Sequence, residues 1–222
     1  MMSVWKILQR TVLVAMTSTV LFVAAGCTTQ QVQSDALKNP AFNVDGFIQQ
    51  WAILDPISVN GLTQSDVRAA VEREYFADQL TVVPSFGDTV MIGGEPFTWH
   101  QVSTRDYNVN LYYFAKALGK PTSNVLFWVV TVIDCPAERA GVRLAIGSNA
   151  ASIWWVNGEE VIGIYNDRQT VIDDGVSKLL TLKEGRNIIR GAVVNAGGAT
   201  DFCARFLDAQ DKPITGLAVV DP

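Results

Sequence analysis

From residue 125 onward the chain alternates short apolar runs with turn residues: VLFWVVTVI (125–133), GVRLAIGS (141–148), SIWWVNG (152–158), EVIGIY (160–165), VSKLLTL (176–182), NIIRGAVVN (187–195) and DFCARFLD (201–208). Runs of this length, rich in β-branched and aromatic residues, predict strands. The breaks fall at Asn157-Gly158, Asp174-Gly175, Glu184-Gly185 and Gly197-Gly198, pairs that supply the positive φ a tight hairpin or bulge needs. Spacing of this kind favours an all-β sandwich over a βαβ arrangement.

The first half is less regular. Ser65 can cap a helix over DVRAAVEREYFAD (66–78), in which Val67, Ala70, Val71 and Tyr75 share one face at helical spacing while the other face is charged. A second short helix is predicted at NLYYFAKALG (110–119), stopped by Gly119 with Pro121 just beyond. Both would be appendages to a sheet.

The N-terminal pattern is of another kind. Lys6 and Arg10 precede TVLVAMTSTVLFV (11–23), an apolar run too short and too rich in Thr and Ser for a membrane span. Ala24, Ala25 and Gly26 then lead to Cys27, and the order of charged, apolar and AAGC segments resembles the signal and lipobox of bacterial lipoproteins. That resemblance implies a cleaved signal at 1–26 and lipidation of Cys27, with palmitate-type acyl chains that hold a domain at a bilayer. Thr28, rather than an acid, follows Cys27, which by the Gram-negative sorting rule implies the outer membrane, facing the periplasm or the cell exterior. Residues 27–44 then hold the lipidated cysteine and a polar stretch, TTQQVQSDALKNP (28–40), that reads as a flexible tether. Residues 45–222 remain for one domain of ordinary size.

Charge narrows the partners. Removing residues 1–26 takes two of the 17 basic residues and none of the 22 acidic ones, which leaves a formal charge of −7. An acidic domain with no basic run excludes nucleic acid and an anionic membrane surface as partners. With Cys27 used by lipid, Cys135 and Cys203 are left as an even pair in an oxidising compartment. A disulfide between them would contribute on the order of 4 kcal/mol; the alternative is two unbridged, half-buried thiols.

The order WAILDPI (51–57), FTWHQV (97–102), FWVVTV (127–132), RLAIGSNAASIWWVNGEEV (143–161), LKEGRNIIRGAVVN (182–195) and DFCARFLDAQDKPI (201–214) resembles the galactose-binding-like jelly-roll modules that accompany many bacterial carbohydrate-active enzymes. Asp55 and Ile57 stand where those modules often carry Gly and Phe, and Arg186 stands between Gly185 and Asn187. The resemblance implies a galactose-binding-like jelly-roll β-sandwich with one or two short appended helices, and its motifs speak to fold rather than ligand.

Trp154 and Trp155 are neighbours on one strand and so point to opposite faces. In the implied register Trp154 faces the core. Trp155 is then either packed beneath a loop or the first half of the chain, or it is an exposed ring for a sugar, with Tyr165, Asn166, Asp167 and Arg168 one hairpin later supplying polar groups. The ligand-binding candidates are therefore Trp155, Tyr165, Asn166 and Arg168.

Catalytic chemistry has little to build on. His100 is the single histidine, and no HExxH, CxxC or GxSxG occurs. Adjacent acids at Glu159-Glu160 and Asp173-Asp174 lack the separation that a glycosidase pair needs. No metal or cofactor is expected, the alternative being a structural calcium held by loop carbonyls with Asp167, Asp173 or Asp174. The sequence thus points to a non-catalytic outer-membrane lipoprotein that binds carbohydrate or another envelope component. A structural or assembly lipoprotein with protein partners is the alternative, and a glycan hydrolase a more distant one.

Overall fold

The computed structural model describes residues 45–59, 63–165 and 169–221. Cys27, the signal, the tether and Asn166 to Arg168 lie outside the described residues. The long strands follow the apolar runs: β6 (Val125–Cys135), β7 (Arg139–Asn149), β8 (Ala151–Val156), β9 (Glu159–Ile164), β12 (Gly185–Asn195) and β13 (Asp201–Leu207), with short β10 (Gly175–Val176), β11 (Leu180–Leu182) and β14 (Ala218–Val220). The irregular first half contributes β1 (Gln50–Leu54), β2 (Ile57–Ser58), β3 (Thr89–Ile92), β4 (Glu95–Ser103) and β5 (Val109–Asn110).

These strands form two antiparallel sheets. One has the order β3-β4-β1-β6-β12-β8-β9, with β2 and β14 beside β6; the other runs β10-β7-β13-β5, with β11 beside β7. Trp51, Phe127, Val129 and Trp154 from the first sheet meet Leu144, Ile146, Phe202 and Phe206 from the second in a dry core. The described residues form the all-β jelly-roll sandwich with two short helices that the sequence predicts.

The helices differ slightly from expectation. Helix α1 (Gln64–Glu72) starts two residues earlier, because Thr63 and Asp66 form a reciprocal capping box: the Asp66 N–H donates to Thr63 Oγ1 and the Thr63 N–H to Asp66 Oδ2, both at 3.2 Å. It stops well short of residue 78. The buried Gln79 side chain donates to the carbonyls of Val71 and Arg73 and accepts from the Tyr75 N–H, so a side chain takes over the helix end. Helix α2 (Leu111–Ala117) is capped by Asn110 Oδ1, which accepts from the Tyr113 N–H at 2.9 Å, and it ends before Gly119 at φ +66°.

Helix α1 and the segment up to β3 lie on the outer face of the first sheet and create a second core. Val67, Val71, Phe76 and Trp99 pack there with Leu126, Trp128, Ile153 and Trp155. The first sheet is thus buried on both faces, which is why β6 and β8 are apolar at nearly every position instead of alternating.

The cysteine pairing is corrected by the same layout. Cys135 and Cys203 are both buried free thiols. Cys203 pairs with Gly147, far up β7 from the 136–138 connection beside which Cys135 lies, a separation of more than about 20 Å at the rise of an extended strand. No disulfide can span that. The Cys135 thiol instead donates to the Ala137 carbonyl at 3.1 Å.

Candidate functional site

A concavity sits at one end of the sandwich, where two turns are joined side by side. Asn157 and Gly158 take φ of 53° and 84° to close the β8–β9 hairpin, as an Asn-Gly pair does most readily. Asn157 Oδ1 accepts from the Ile188 N–H at 2.9 Å, and its Nδ2 donates to Asn187 Oδ1 at 3.0 Å. Buried Asn187 in turn donates to the carbonyls of Lys183 and Gly185 and accepts from the Lys183 N–H. The stretch LKEGRN (182–187) therefore ends on a residue that ties one turn to the other.

Where the two sheet edges diverge beside these turns, a cleft of about 530 Å³ opens between the start of β9 and the segment 178–183, bordered by Asn157, Glu159, Val161, Lys178, Thr181 and Lys183. Among the described residues, Glu159, Lys178 and Lys183 are exposed with no ion-pair partner. Glu160, also on the rim, is committed to Arg68 of α1, whose Nη1 and Nη2 donate to it at 2.9 and 2.6 Å. That hydrogen-bonded carboxylate raises the Arg68 pKa above its ordinary value. Carboxylate, ammonium and hydroxyl groups around a partly apolar floor can exchange hydrogen bonds with a polyhydroxylated ligand.

The residues singled out from the sequence lie elsewhere. Trp155 is 9 % exposed, with its ring 5.9 Å from that of Trp128 in the outer core. It offers no open face, so the exposed-platform expectation is replaced by the packed one: α1 and the chain after it cover the ring. Tyr165 is half-buried, folded over Gly163 and packed against the same core, with the Arg68 guanidinium 5.9 Å from its ring. The structure brings Trp155 and Tyr165 into one apolar layer; Asn166 and Arg168 fall outside the described residues.

Sequence reasoning missed Lys178, Lys183 and Arg190. Arg190, on β12, is 2 % exposed. Its Nη1 donates to the Gln79 carbonyl at 3.0 Å and its Nη2 to the Val82 carbonyl, and no carboxylate lies within ion-pair distance among the described residues. Burial pushes its pKa down to about 10. The signal was present as a lone charge inside the apolar run IIRGAVV. The two lysines carry no such mark, because exposed lysines occur on every surface.

His100 is packed rather than exposed to a substrate. Its Nε2 lies 3.2 Å from Oδ1 of buried Asp55, and its ring edge meets Phe114 at 5.5 Å. Asp55 also accepts from the Thr98 N–H at 3.0 Å and lies 3.5 Å from Lys120 Nζ. The Asp173 carboxylate is bound by the Arg205 guanidinium, which removes it from any calcium set. Among the described residues no three His, Cys, Asp or Glu side chains gather as metal ligands.

No family model and no curated protein matches the sequence. Among solved structures, the chain is similar to the PA14 sugar-binding domain from an RTX adhesin, at 13 % identity over 79 % of this chain and 96 % of that one, with a TM-score of 0.45. It is similar to the PA14 domain of the MpAFP antifreeze protein at 12 % identity over 77 % and 86 %, TM-score 0.41. A β-glucosidase from Kluyveromyces marxianus in complex with glucose matches at 18 % identity over 50 % of this chain and 14 % of its own, TM-score 0.37. At such scores these likenesses say nothing about this chain's ligand.

Proposed function

We propose that the chain is a non-catalytic lipoprotein, anchored in the outer membrane through lipid on Cys27, whose β-sandwich binds carbohydrate in the cleft beside the Asn157-Gly158 turn. The observation that carries this reading is the cleft itself: about 530 Å³ bordered by unpaired Glu159, Lys178 and Lys183 and by Thr181. Its size suits a sugar unit or two. Glu160 on its rim is held by Arg68, which supports binding without hydrolysis.

The test is calorimetric titration of residues 38–222, which form one compact unit, with neutral polysaccharides and peptidoglycan fragments. Saturable heat with at least one glycan, abolished in Thr181→Trp at unchanged melting temperature, is expected. Silence across the panel would remove the carbohydrate reading. Anchoring is tested separately: an alkyne palmitate analogue should label the full chain in cells and fail to label Cys27→Ser.

A second reading, assembly with a protein partner, draws on a different observation. Val171 and Ile172, just before edge strand β10, and Val176 on it are exposed, where apolar side chains serve protein contacts better than solvent. In-cell crosslinking from a photoreactive residue at position 172 would report it.

A further inference from the structure

Arg190 is a cation buried to 2 % exposure whose guanidinium, among the described residues, donates to two carbonyls and pairs with no carboxylate. If its role were only to hold the chain around residues 79–82 against the sheet, a neutral donor would serve with a smaller desolvation cost, because the charged form is the one that burial penalises. Among the described residues, no carboxylate on the sheet pairs with Arg190. Glu160 occupies the same cross-strand row, opposite Trp155, which is itself opposite Arg190, but that carboxylate is bound to Arg68 and the buried Trp155 stands between.

Arg190 nevertheless lines a pocket of about 130 Å³ with Leu80, Thr81, Asn157, Gly158 and Ile188. At roughly 30 Å³ per water molecule this is space for a carboxylate and part of the group that bears it. Exposed Thr81 adds a hydroxyl at the rim, and Asn157 borders both this pocket and the large cleft.

We propose that Arg190 forms the base of an anion-binding subsite that receives a carboxylate-bearing ligand through the opening between Leu80, Thr81 and the Asn157-Gly158 turn. A guanidinium held by two fixed carbonyls is already oriented, so a carboxylate arriving there gains a charge-assisted hydrogen bond without ordering the side chain first. The subsite stands independently of the neighbouring cleft, since none of its charge comes from Lys178 or Lys183.

The experiment follows the Arg190 Nε–H resonance by NMR in residues 38–222, assigned by its loss in Arg190→Lys. The protein is titrated with sodium glucuronate and, at matched ionic strength, with glucose and with sodium chloride. A saturable shift with glucuronate alone is expected. In Leu80→Trp the affinity should fall at least about tenfold, because an indole would close the opening while Arg190 and its carbonyl bonds stay in place. Leu80 is 45 % exposed, so that variant should keep its melting temperature. Equal shifts with chloride, no shift with glucuronate, or unchanged affinity in Leu80→Trp would each overturn the subsite and leave Arg190 as a brace. Neutral glycans report on the cleft, so its failure and the failure of this subsite are read in different titrations.

Discussion

Gly191 has no side chain where the Trp154 ring lies: a Cβ there would fall 2.5 Å from the ring. The two residues face each other across β12 and β8, and the indole covers bare backbone while meeting Trp51 and Phe202 on its other sides. Gly191→Ala should therefore overpack the inner core and cost about 1 to 3 kcal/mol in urea unfolding. Cys203 gives a pH signature on the neighbouring sheet. Burial pushes its thiol from an ordinary 9.0 up to about 11. Between those values the unfolded thiol loses its proton while the folded one keeps it, so the unfolded state binds fewer protons and stability falls as pH rises. The contribution is fully present below about pH 9 and gone above about pH 11, on the order of 2 to 3 kcal/mol. Unfolding curves collected at about pH 8.5 and about pH 11 should show a smaller loss in Cys203→Ala than in the parent; equal losses would mean that the thiol is not the group titrating.

At the level of elements, α1 is fastened to β9 by one bidentate contact, Arg68 to Glu160. Both side chains are about a third exposed, and an exposed pair contributes little however good its geometry. A double-mutant cycle with Arg68→Ala and Glu160→Ala should give a coupling energy of about 0.5 to 1 kcal/mol, reduced by salt. A coupling well above that range would mean that the contact organises the whole helical layer. The strands from residue 125 onward were legible because their apolar runs and Gly-containing turns agree at every step. The start of α1 was misplaced because Ser65 and Thr63 are equally good caps, and only Asp66, reaching back to Thr63, decides between them. Its end was misplaced because Gln79, just past the expected end, turns its side chain back onto the carbonyls of Val71 and Arg73 and supplies the stop. The candidate site was read less well for a related reason. The Asn157-Gly158 turn was visible, but the lysines across the cleft flank β11, which pairs with β7 of the other sheet, and proximity across a sandwich leaves no trace in local pattern.

For the whole molecule, the consequential feature is that one sheet serves two cores. Strand β6 gives Phe127, Val129 and Ile133 to the inner core and Leu126, Trp128 and Val130 to the outer, so Trp154 and Trp155 are buried on opposite sides of the same backbone. Opposite faces followed from the sequence, and packing of Trp155 beneath the first half of the chain was one of its two alternatives; the helical spacing of Val67, Ala70 and Val71 marks a buried helix face but not which sheet face it covers. The outer layer cannot leave by itself without exposing Trp128, Trp155, Ile153, Ala192 and Val194 and uncovering Arg190, a cost set against few contacts of its own. The described domain should consequently unfold in one cooperative step. In urea, tryptophan fluorescence of Trp155→Phe, which reports the remaining rings, and far-UV circular dichroism of the sheet should share a midpoint. Trp155→Ala should lower stability by about 3 to 5 kcal/mol, as removal of a buried ring does, with the loss seen equally by both probes. A fluorescence transition that precedes the loss of sheet would mean that the outer layer is a separable cover. In that case the ring of Trp155 would become open to ligand in a partly unfolded state, and the site on this face would have to be sought there.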